Sequence, residues 1–372
     1  MKKIIIVPFL IIFILTLILG ACAAPPPATT TPTPPTKTTP PPVQKLNPTA
    51  EKPLELKFAY QAPPKASLVP GIYQPWTAEI EKASGGRIKI THYGGETLVK
   101  TTDAYDALAS GICDIAAIDT EESPGRFPLA GISTLPFVYP STELAGRISH
   151  ELLNKYSANG ELKEIKILIT APLHMAQIFS KRKIEVLNDF KNMKFRAAGK
   201  VEAWTGDAFG AIPVEVSTGD MSGALDRGMI EGCFFTWSAG LSFGVKDVTK
   251  YRTECNILSR AFVVGMNRQI WDKLPEDLQK VIDGLATPEV SQRYGAAHDK
   301  LAAGARGAIV GSDKGAGNPP IYVLPKEERD LWIKTCSVVY DTWVKEAASK
   351  NLPAQAMLDE AASLAKKYAQ PK

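Results

Sequence analysis

Strands and helices alternate along most of this chain, and this order restricts its possible folds more than any other feature. From residue 54 the pattern runs strand, helix, strand, helix, strand, and near residue 164 it starts again. The predicted strands are 54–60, 87–93, 114–119, 164–174, 194–198, 212–216, 231–235, 247–254 and 260–267, and the predicted helices are 75–86, 101–111, 200–210 and 218–228. This succession is typical of sheets that are covered by helices on both faces. The sequence therefore predicts an α/β fold with two units of similar size.

The chain from Leu274 onward is mostly helical in pattern, with an alanine-rich stretch at 290–310 and a last helix that ends near Lys367. Long helices that follow two α/β units are expected to pack across both of them.

The first residues predict export. Residues 1–21 have a basic start and a long apolar run, which is typical of a signal peptide, and "LGAC" ends this run at Cys22. A membrane anchor helix is the alternative. "LGAC" resembles the lipobox of bacterial lipoproteins, in which the cysteine becomes the lipidated N-terminus. Residues 22–53 then form a linker, and its Pro/Thr-rich part at 23–44 favours an extended stalk because it has almost nothing to bury.

Charge and cysteine content limit the partners. Of 372 residues, 43 are Lys or Arg and 39 are Asp or Glu, so the net charge is only +4, and nucleic acid is not an expected partner. The cysteines after Cys22 show no paired spacing of a metal or redox site, and we interpret them as buried thiols, with Cys233–Cys255 as the candidate disulfide. These cysteines are Cys113, Cys233, Cys255 and Cys336.

The motifs of common enzymes are missing from the sequence. The four histidines, at positions 92, 150, 174 and 298, have no metal-ligand spacing. The chain lacks a G-x-S-x-G turn, a G-x-x-x-x-G-K-[ST] phosphate loop and a G-x-G-x-x-G turn after the first strand. We therefore expect no catalytic residues, no cofactor and no metal site.

Several ordered segments carry a resemblance to a known family. "SGGRIKITHYGGETL", "DAYDALASGICDIAAID" and "PGRFPLAGISTLPFVYPS" resemble the first domain of solute-binding proteins of TRAP (tripartite ATP-independent periplasmic) transporters. "DFKNMKFRAAG", "FGAIPVEVSTGDMSGALDRGMIEGCFFTW" and the helical tail resemble the second half. The resemblance implies a two-lobed periplasmic-binding-protein clamp, in which each lobe is a mixed sheet flanked by helices. We expect residues 54–172 with about 258–285 in lobe I, and 173–257 with about 286–372 in lobe II.

Arg196, in the motif "KNMKFRAAG", is the position that the resemblance assigns to the ligand carboxylate. A guanidinium presents paired N–H donors in a plane that matches two carboxylate oxygens. From the residues alone, a solvated arginine at the end of a strand is the alternative. As a cleft residue, Arg196 is expected to be solvated in the empty protein, so that its replacement leaves folding intact.

Other candidate ligand contacts follow from the same resemblance. "EGCFFTW" places Phe235, Thr236 and Trp237 where many relatives have a polar turn, although these aromatic residues could also be core. His174 and Gln177 lie where some relatives have a second basic residue. Thr120 and Glu121 are candidates from lobe I, with a solvated loop carboxylate as the alternative for Glu121. Arg126 is interpreted as structural.

These departures favour a monocarboxylate with an apolar or aromatic body over a dicarboxylate, because no second cleft arginine is evident in the sequence. The expected function is capture of a small organic acid outside the cytoplasm and delivery to the membrane subunits of a TRAP transporter. The protein would be held on the outer face of the cytoplasmic membrane, or in the periplasm, by its lipid. The binding protein of an ATP-driven importer, and a ligand-sensing partner of a receptor, are the alternatives.

Overall fold

Two mixed β-sheets form the framework of the computed structural model, which describes residues 44–123 and 125–369. The strands are β1 (Leu54–Ala59), β2 (Ile88–Tyr93), β3 (Ile115–Ile118), β4 (Ile165–Pro172), β5 (Gln177–Ser180), β6 (Lys194–Ala197), β7 (Ile212–Glu215), β8 (Gly232–Phe235), β9 (Tyr251–Glu254), β10 (Ala261–Asn267) and β11 (Tyr322–Val323). The first sheet has the order β2-β1-β3-β10-β4, and the second has the order β11-β9-β5-β8-β6-β7.

Helices cover the faces of both sheets. They are α1 (Gln74–Ala83), α2 (Ala104–Ser110), α3 (Thr142–Tyr156), α4 (Lys200–Ala208), α5 (Met221–Asp226), α6 (Trp237–Ser242), α7 (Val245–Val248), α8 (Arg268–Lys273), α9 (Glu276–Gly284), α10 (Pro288–Ala316), α11 (Lys326–Thr335), α12 (Ser337–Ala348) and α13 (Ala354–Tyr368).

Each sheet buries both of its faces, as the apolar sequences of its central strands require. In β3, Ile115 and Ala117 belong to one core, whereas Ala116 and Ile118 belong to the core on the opposite face. This alternation follows from the two-residue period of a strand. A strand that is buried on both faces needs a nearly continuous apolar run, and "IAAI" provides one.

The longest helix, α10, joins the two parts of the fold. It begins after Thr287, whose side chain accepts a hydrogen bond from the backbone N–H of Val290, and it ends at Gly317 in the left-handed conformation. It packs against α3 and β4 of the first part and against α6 of the second. The helices α10 and α3 cross so closely that a Cβ atom at Gly146 would come within 2.5 Å of the carbonyl oxygen of Ser291, so this position requires a glycine.

Two extended segments connect the sheets. Residues 173–176 lead from β4 to β5, and residues 255–260 lead from β9 back to β10. They are hydrogen-bonded to each other, with Leu173 N 2.7 Å from Arg260 O and Ala176 N 2.7 Å from Leu258 O. The β9–β10 connection returns the chain to the first sheet, where β10 pairs antiparallel with β3 and β4.

Most strand predictions agree with the structure within two residues, but several segments differ, among them the following three. The region 247–254 was predicted as one strand, but 245–248 is the short helix α7 and only 251–254 is extended. The strand β5 and the helix α3 were not predicted. The four cysteines inside the folded body are buried free thiols, so the candidate disulfide Cys233–Cys255 is absent.

The N-terminal predictions, which are the signal peptide, Cys22 and the stalk up to residue 43, lie outside the described residues. No helix within the described part of the chain combines the length and the apolar character that crossing a membrane requires.

Candidate functional site

The strand ends of both sheets face one cavity with about 490 Å³ of empty space. Its apolar lining consists of Ala62, Ala66, Leu68, Leu173, Phe235, Ala239, Phe243 and Phe262, and its polar lining of Gln61, Ser67, Asp119, Thr218, Ser238, Ser242 and Arg260. Most of these residues lie at or just after the carboxyl ends of β1, β3, β4, β7 and β8, and the others lie at the start of the antiparallel strand β10. Ligands of α/β folds bind at this edge of the sheet.

Arg196 lies near this edge, in β6, and is only 1% exposed. Its Nε donates to the carbonyl oxygen of Val216 at 2.9 Å, and its Nη1 lies 3.4 Å from Glu202 Oε2. Its Nη2 donates to Thr218 Oγ1 at 3.1 Å and to Glu122 Oε1 at 3.3 Å. The expectation that Arg196 is solvated in the empty protein is therefore wrong, because carboxylates of the protein itself surround the guanidinium.

Glu122 Oε1 occupies a position that has the features of an anion site. It accepts hydrogen bonds from Thr218 N at 3.2 Å and from Thr218 Oγ1 at 2.5 Å, in addition to the bond from Arg196. Arg260 Nη1 lies 4.0 Å away. Glu122 follows β3 of the first sheet, whereas Arg196 and Thr218 belong to the second. A single carboxylate oxygen thus joins the two parts of the fold.

Arg260 is a second buried cation of the site and lines the cavity directly. It is 5% exposed, and its Nη1 lies 3.1 Å from Asp119 Oδ2. The expectation that the cleft has no second arginine is therefore wrong. The predicted strand 260–267 already contained Arg260 as its first residue. What the sequence could not show is that β10 is antiparallel and begins at the ligand edge of the sheet.

Two further carboxylates lie behind the arginines. Glu202, in the first turn of α4, accepts the backbone N–H of Ala198 at 2.9 Å. Glu121 is 6% exposed, and burial, together with the nearby charge of Glu202, raises its pKa to about 8. It is therefore protonated near neutral pH. A side chain at Gly199 would come within 2.4 Å of the carbonyl oxygen of Glu121, so this close approach requires a glycine.

Thr120 and Glu121, the candidates from lobe I, do not line the cavity of Arg260. They line a neighbouring space of about 400 Å³, together with Trp204 and Trp343. Arg126 forms a two-point ion pair with Asp106 at 2.5 and 2.6 Å, which agrees with its interpretation as structural.

Of the candidates in "EGCFFTW", Phe235 lines the cavity, where its ring lies 5.9 Å from that of Phe243. Thr236 caps α6 by accepting the backbone N–H of Ala239 at 3.2 Å. Trp237 points away from this cavity and packs on Phe179, with the ring centroids 5.6 Å apart.

His174 and Gln177 also lie outside the cavity lining. The Oε1 of Gln177 accepts the backbone N–H groups of Cys255 and Asn256 at 2.8 and 3.0 Å, so Gln177 ties the two connecting segments together. The Nε2 of His174 lies 2.9 Å from Ser238 Oγ, directly behind the cavity wall. No group of His, Cys, Asp or Glu among residues 44–123 and 125–369 has an arrangement that could hold a metal ion.

Comparison with known proteins shows the family of this chain. Residues 58–346 match the family model described as bacterial extracellular solute-binding protein, family 7. A relative is the C4-dicarboxylate-binding periplasmic protein DctP of Rhodobacter capsulatus, which is 22% identical over 318 residues, covering 82% of this chain and 91% of the relative.

Two crystal structures have the same fold. A TRAP solute-binding protein from Rhodoferax ferrireducens T118, in complex with copurified benzoate, is 25% identical with a TM-score of 0.79, over 85% of this chain and 98% of that chain. A marine metagenome protein specific for aromatic acid ligands, in complex with 3-hydroxybenzoate, is 26% identical with a TM-score of 0.79, over 86% and 99%. The chain therefore belongs to family 7 of the bacterial extracellular solute-binding proteins, the receptors of TRAP transporters, which are not enzymes.

Proposed function

We propose that the protein captures a monocarboxylate with an aromatic or apolar body in the cavity between its two sheets and delivers it to the membrane subunits of a TRAP transporter. The observation that carries this proposal is the position of Glu122 Oε1, which lies 3.3 Å from Arg196 Nη2 and 4.0 Å from Arg260 Nη1. A ligand carboxylate that displaced Glu122 would meet two guanidinium groups and the two donors of Thr218.

The cavity next to this position fits an apolar body. Phe235, Phe243 and Phe262 contribute aromatic surface, and Leu68 and Leu173 contribute aliphatic surface. Removal of such surface from water supplies about 25 cal/mol for each Å² buried. The aromatic rings can also pair edge-to-face with an aromatic ligand.

The charges of the wall disfavour a second carboxylate on the ligand. Arg260 is the basic residue among those that line the cavity, and Asp119 already lies 3.1 Å from its guanidinium. A C4-dicarboxylate would place its second charge near Asp119, without another cation among the described lining residues. This supports an aromatic or branched monocarboxylate, although one relative carries the name of a C4-dicarboxylate-binding protein.

A thermal-shift screen followed by calorimetry tests the proposal. The panel contains benzoate, phenylacetate, a branched aliphatic acid, succinate, malate and fumarate. A ligand that binds only the folded protein stabilises it by about 2.7 kcal/mol at a hundredfold excess over Kd. We expect the monocarboxylates to raise the melting temperature. Large shifts with the C4-dicarboxylates and none with the aromatic and branched acids would refute the proposed ligand class.

The lipid anchor is part of the same proposal. "LGAC" at residues 19–22 supports cleavage before Cys22 and acylation of this cysteine, and two or three acyl chains would hold the protein stably at a membrane. Mass spectrometry of the mature N-terminus decides this point. A mature protein without acyl mass on Cys22 would exclude the anchor.

A further inference from the structure

Two buried histidines stand behind the cavity wall and contact each other. His174, in the segment between β4 and β5, and His298, in α10, are 2% and 0% exposed. Their rings meet edge to face with centroids 5.1 Å apart. Each ring is also within hydrogen-bond distance of a serine that lines the cavity. These serines are Ser238 for His174 and Ser67 for His298.

The surroundings of His298 determine which of its nitrogens carries the proton. Its Nδ1 lies 2.9 Å from the carbonyl oxygen of Pro172, and a carbonyl oxygen can only accept. Burial lowers the pKa of His298 to about 4, so the ring is neutral at physiological pH and has one N–H. That N–H is therefore on Nδ1. The bare Nε2 accepts the hydroxyl proton of Ser67 across 2.7 Å.

The same reasoning applies to His174. The backbone N–H of Ser238 points to its Nε2 at 3.3 Å, so this nitrogen is an acceptor. Burial also lowers the pKa of His174 well below its ordinary value, which keeps the ring neutral. The hydroxyl of Ser238, at 2.9 Å, is the nearer donor to the single lone pair of Nε2, and the ring proton is then on Nδ1, which has no hydrogen-bond partner among the described residues. Each of the two histidines therefore accepts a hydrogen bond from a serine that lines the cavity.

The cavity wall is consequently rich in acceptors. A hydroxyl whose proton is committed offers only lone pairs to a third group. This holds for Ser67 and Ser238, and also for Ser242, whose hydroxyl donates to the carbonyl oxygen of Ser238 at 3.0 Å. The Oε1 of Gln61, another lining residue, is buried without a hydrogen-bond partner among the described residues. A buried acceptor without a donor is unfavourable, so this wall has unused hydrogen-bonding capacity.

We infer that the ligand carries a hydrogen-bond donor, a hydroxyl or an N–H group, on its apolar body, and that Gln61, Ser67 and Ser238 select for this donor. This inference rests on the proposed function and narrows its ligand class to hydroxylated or amino-substituted acids. An acid without a donor leaves these acceptors unpaired in a cavity that has lost its water. A site that is built to bond a substrate donor discriminates strongly against the analogue that lacks it.

Calorimetry on a matched series of acids tests the inference. The probes are benzoate, its 2-, 3- and 4-hydroxy forms, the corresponding aminobenzoates, and the methyl- and methoxybenzoates as controls of similar shape without a donor. We expect at least one hydroxy or amino isomer to bind at least about tenfold more tightly than benzoate and than its methyl and methoxy counterparts. Equal or tighter binding of the donor-free acids would overturn the inference while leaving the proposed function intact. Failure of every acid in this series to bind would overturn the inference, whereas the proposed function is refuted only if phenylacetate and the branched acid of the thermal-shift panel fail as well.

Variants of Ser67 and Ser238 test whether these two serines cause the preference for acids with a hydrogen-bond donor. Ser67→Ala and Ser238→Ala should reduce the advantage of the donor-bearing isomer over its methyl counterpart by about tenfold or more for at least one of them. Ser291→Ala is the matched control, since Ser291 Oγ lies 3.0 Å from His150 Nδ1 in a similar buried pair that does not line the cavity. The proposed role of Ser67 and Ser238 would be contradicted if both cavity variants kept the preference for the donor-bearing isomer. It would also be contradicted if Ser291→Ala reduced this preference by the same factor.

Discussion

Glu122 reaches from the first sheet to Arg196 in the second, with its Oε1 3.3 Å from Nη2 of the arginine. The side chains are 10% and 0% exposed, so this ion pair is shielded from water. The protein thus places one of its own carboxylates where the proposed function needs the carboxylate of a ligand. A ligand carboxylate can take this position only to the extent that its contacts with Arg196 and Thr218 are better than those of Glu122.

The first prediction concerns this competition. Glu122→Gln should raise the affinity for the cognate monocarboxylate by about tenfold, because an amide binds a guanidinium less strongly than a carboxylate does. Calorimetry at pH 6 measures the change. Glu121→Gln is the matched control, since Glu121 has a pKa raised by burial to about 8 and is already neutral at that pH. Weaker binding in Glu122→Gln would mean that Glu122 helps to hold the ligand.

The second prediction concerns Arg196. Arg196→Ala should weaken ligand binding by about thirtyfold to several thousandfold, because removal of one member of a desolvated charge pair costs roughly 2–5 kcal/mol. Arg196→Lys keeps the charge but loses the planar two-point fit, so its loss should be smaller.

Both variants should also lower the melting temperature, with the larger effect in Arg196→Ala, because Glu202 would be left buried without its partner. The control is Arg268→Ala, which removes an exposed ion pair with Asp272. Affinity close to that of the unaltered protein in a folded Arg196→Ala variant would remove Arg196 from the ligand site.

The third prediction is a pH dependence of stability. Burial and Glu202 raise the pKa of Glu121 from 4.5 to about 8, while the charges of Arg260 and Asp119 act on it in opposite directions. Between pH 4.5 and about pH 8 the carboxyl of Glu121 keeps its proton in the folded protein, whereas the same carboxyl is ionised in the unfolded chain. Its contribution to stability is therefore complete below about pH 4.5 and is lost as the pH rises to 8.

Glu121→Gln removes this titration. The difference in free energy of unfolding between the variant and the unaltered protein should shift in favour of the variant by about 1 kcal/mol or more from pH 5 to pH 8. Denaturant unfolding at a series of pH values measures it. A constant difference for Glu121→Gln would show that its carboxyl is ionised throughout.

The fourth prediction separates two aromatic residues that are neighbours in sequence. Phe235 lines the cavity and Trp237 does not, although both are buried. Phe235→Leu should weaken the binding of aromatic acids by about threefold to tenfold, because this is the contribution of one aromatic pair to affinity. Trp237→Phe should leave the affinity unchanged. Calorimetry on both variants with one acid measures this, and the opposite ranking would place Trp237 in the site.

Local patterns predicted most strands of the fold, but not the pairing of strands that are distant in sequence. Alternation and apolar runs located β1, β3, β6 and β8 within one or two residues. The short strand β5 escaped prediction because "QIFS" is too brief to show a period. The place of β10 between β3 and β4 depends on pairs that are at least 89 residues apart in sequence, such as Ala261 with Pro172, which no local pattern encodes.

The same limit explains the site. Arg196 was found through the motif around it, and Phe235 through its position at the end of a predicted strand. Arg260 and Glu122 were missed, because their importance comes only from the meeting of β3, β6 and β10 at one edge. The role of Gln177 as a tie between the connecting segments likewise depends on Cys255 and Asn256, nearly eighty residues away.

A crystal structure of the protein with a bound monocarboxylate, obtained with the tightest acid of the benzoate series, tests the central claim most directly. The account predicts that the ligand carboxylate lies within hydrogen-bond distance of Arg196 Nη2 and Thr218, that Arg260 faces it, and that the Glu122 carboxylate has left this position. A structure in which Glu122 keeps its bonds to Arg196 and Thr218, while the ligand carboxylate is bound elsewhere, would contradict it.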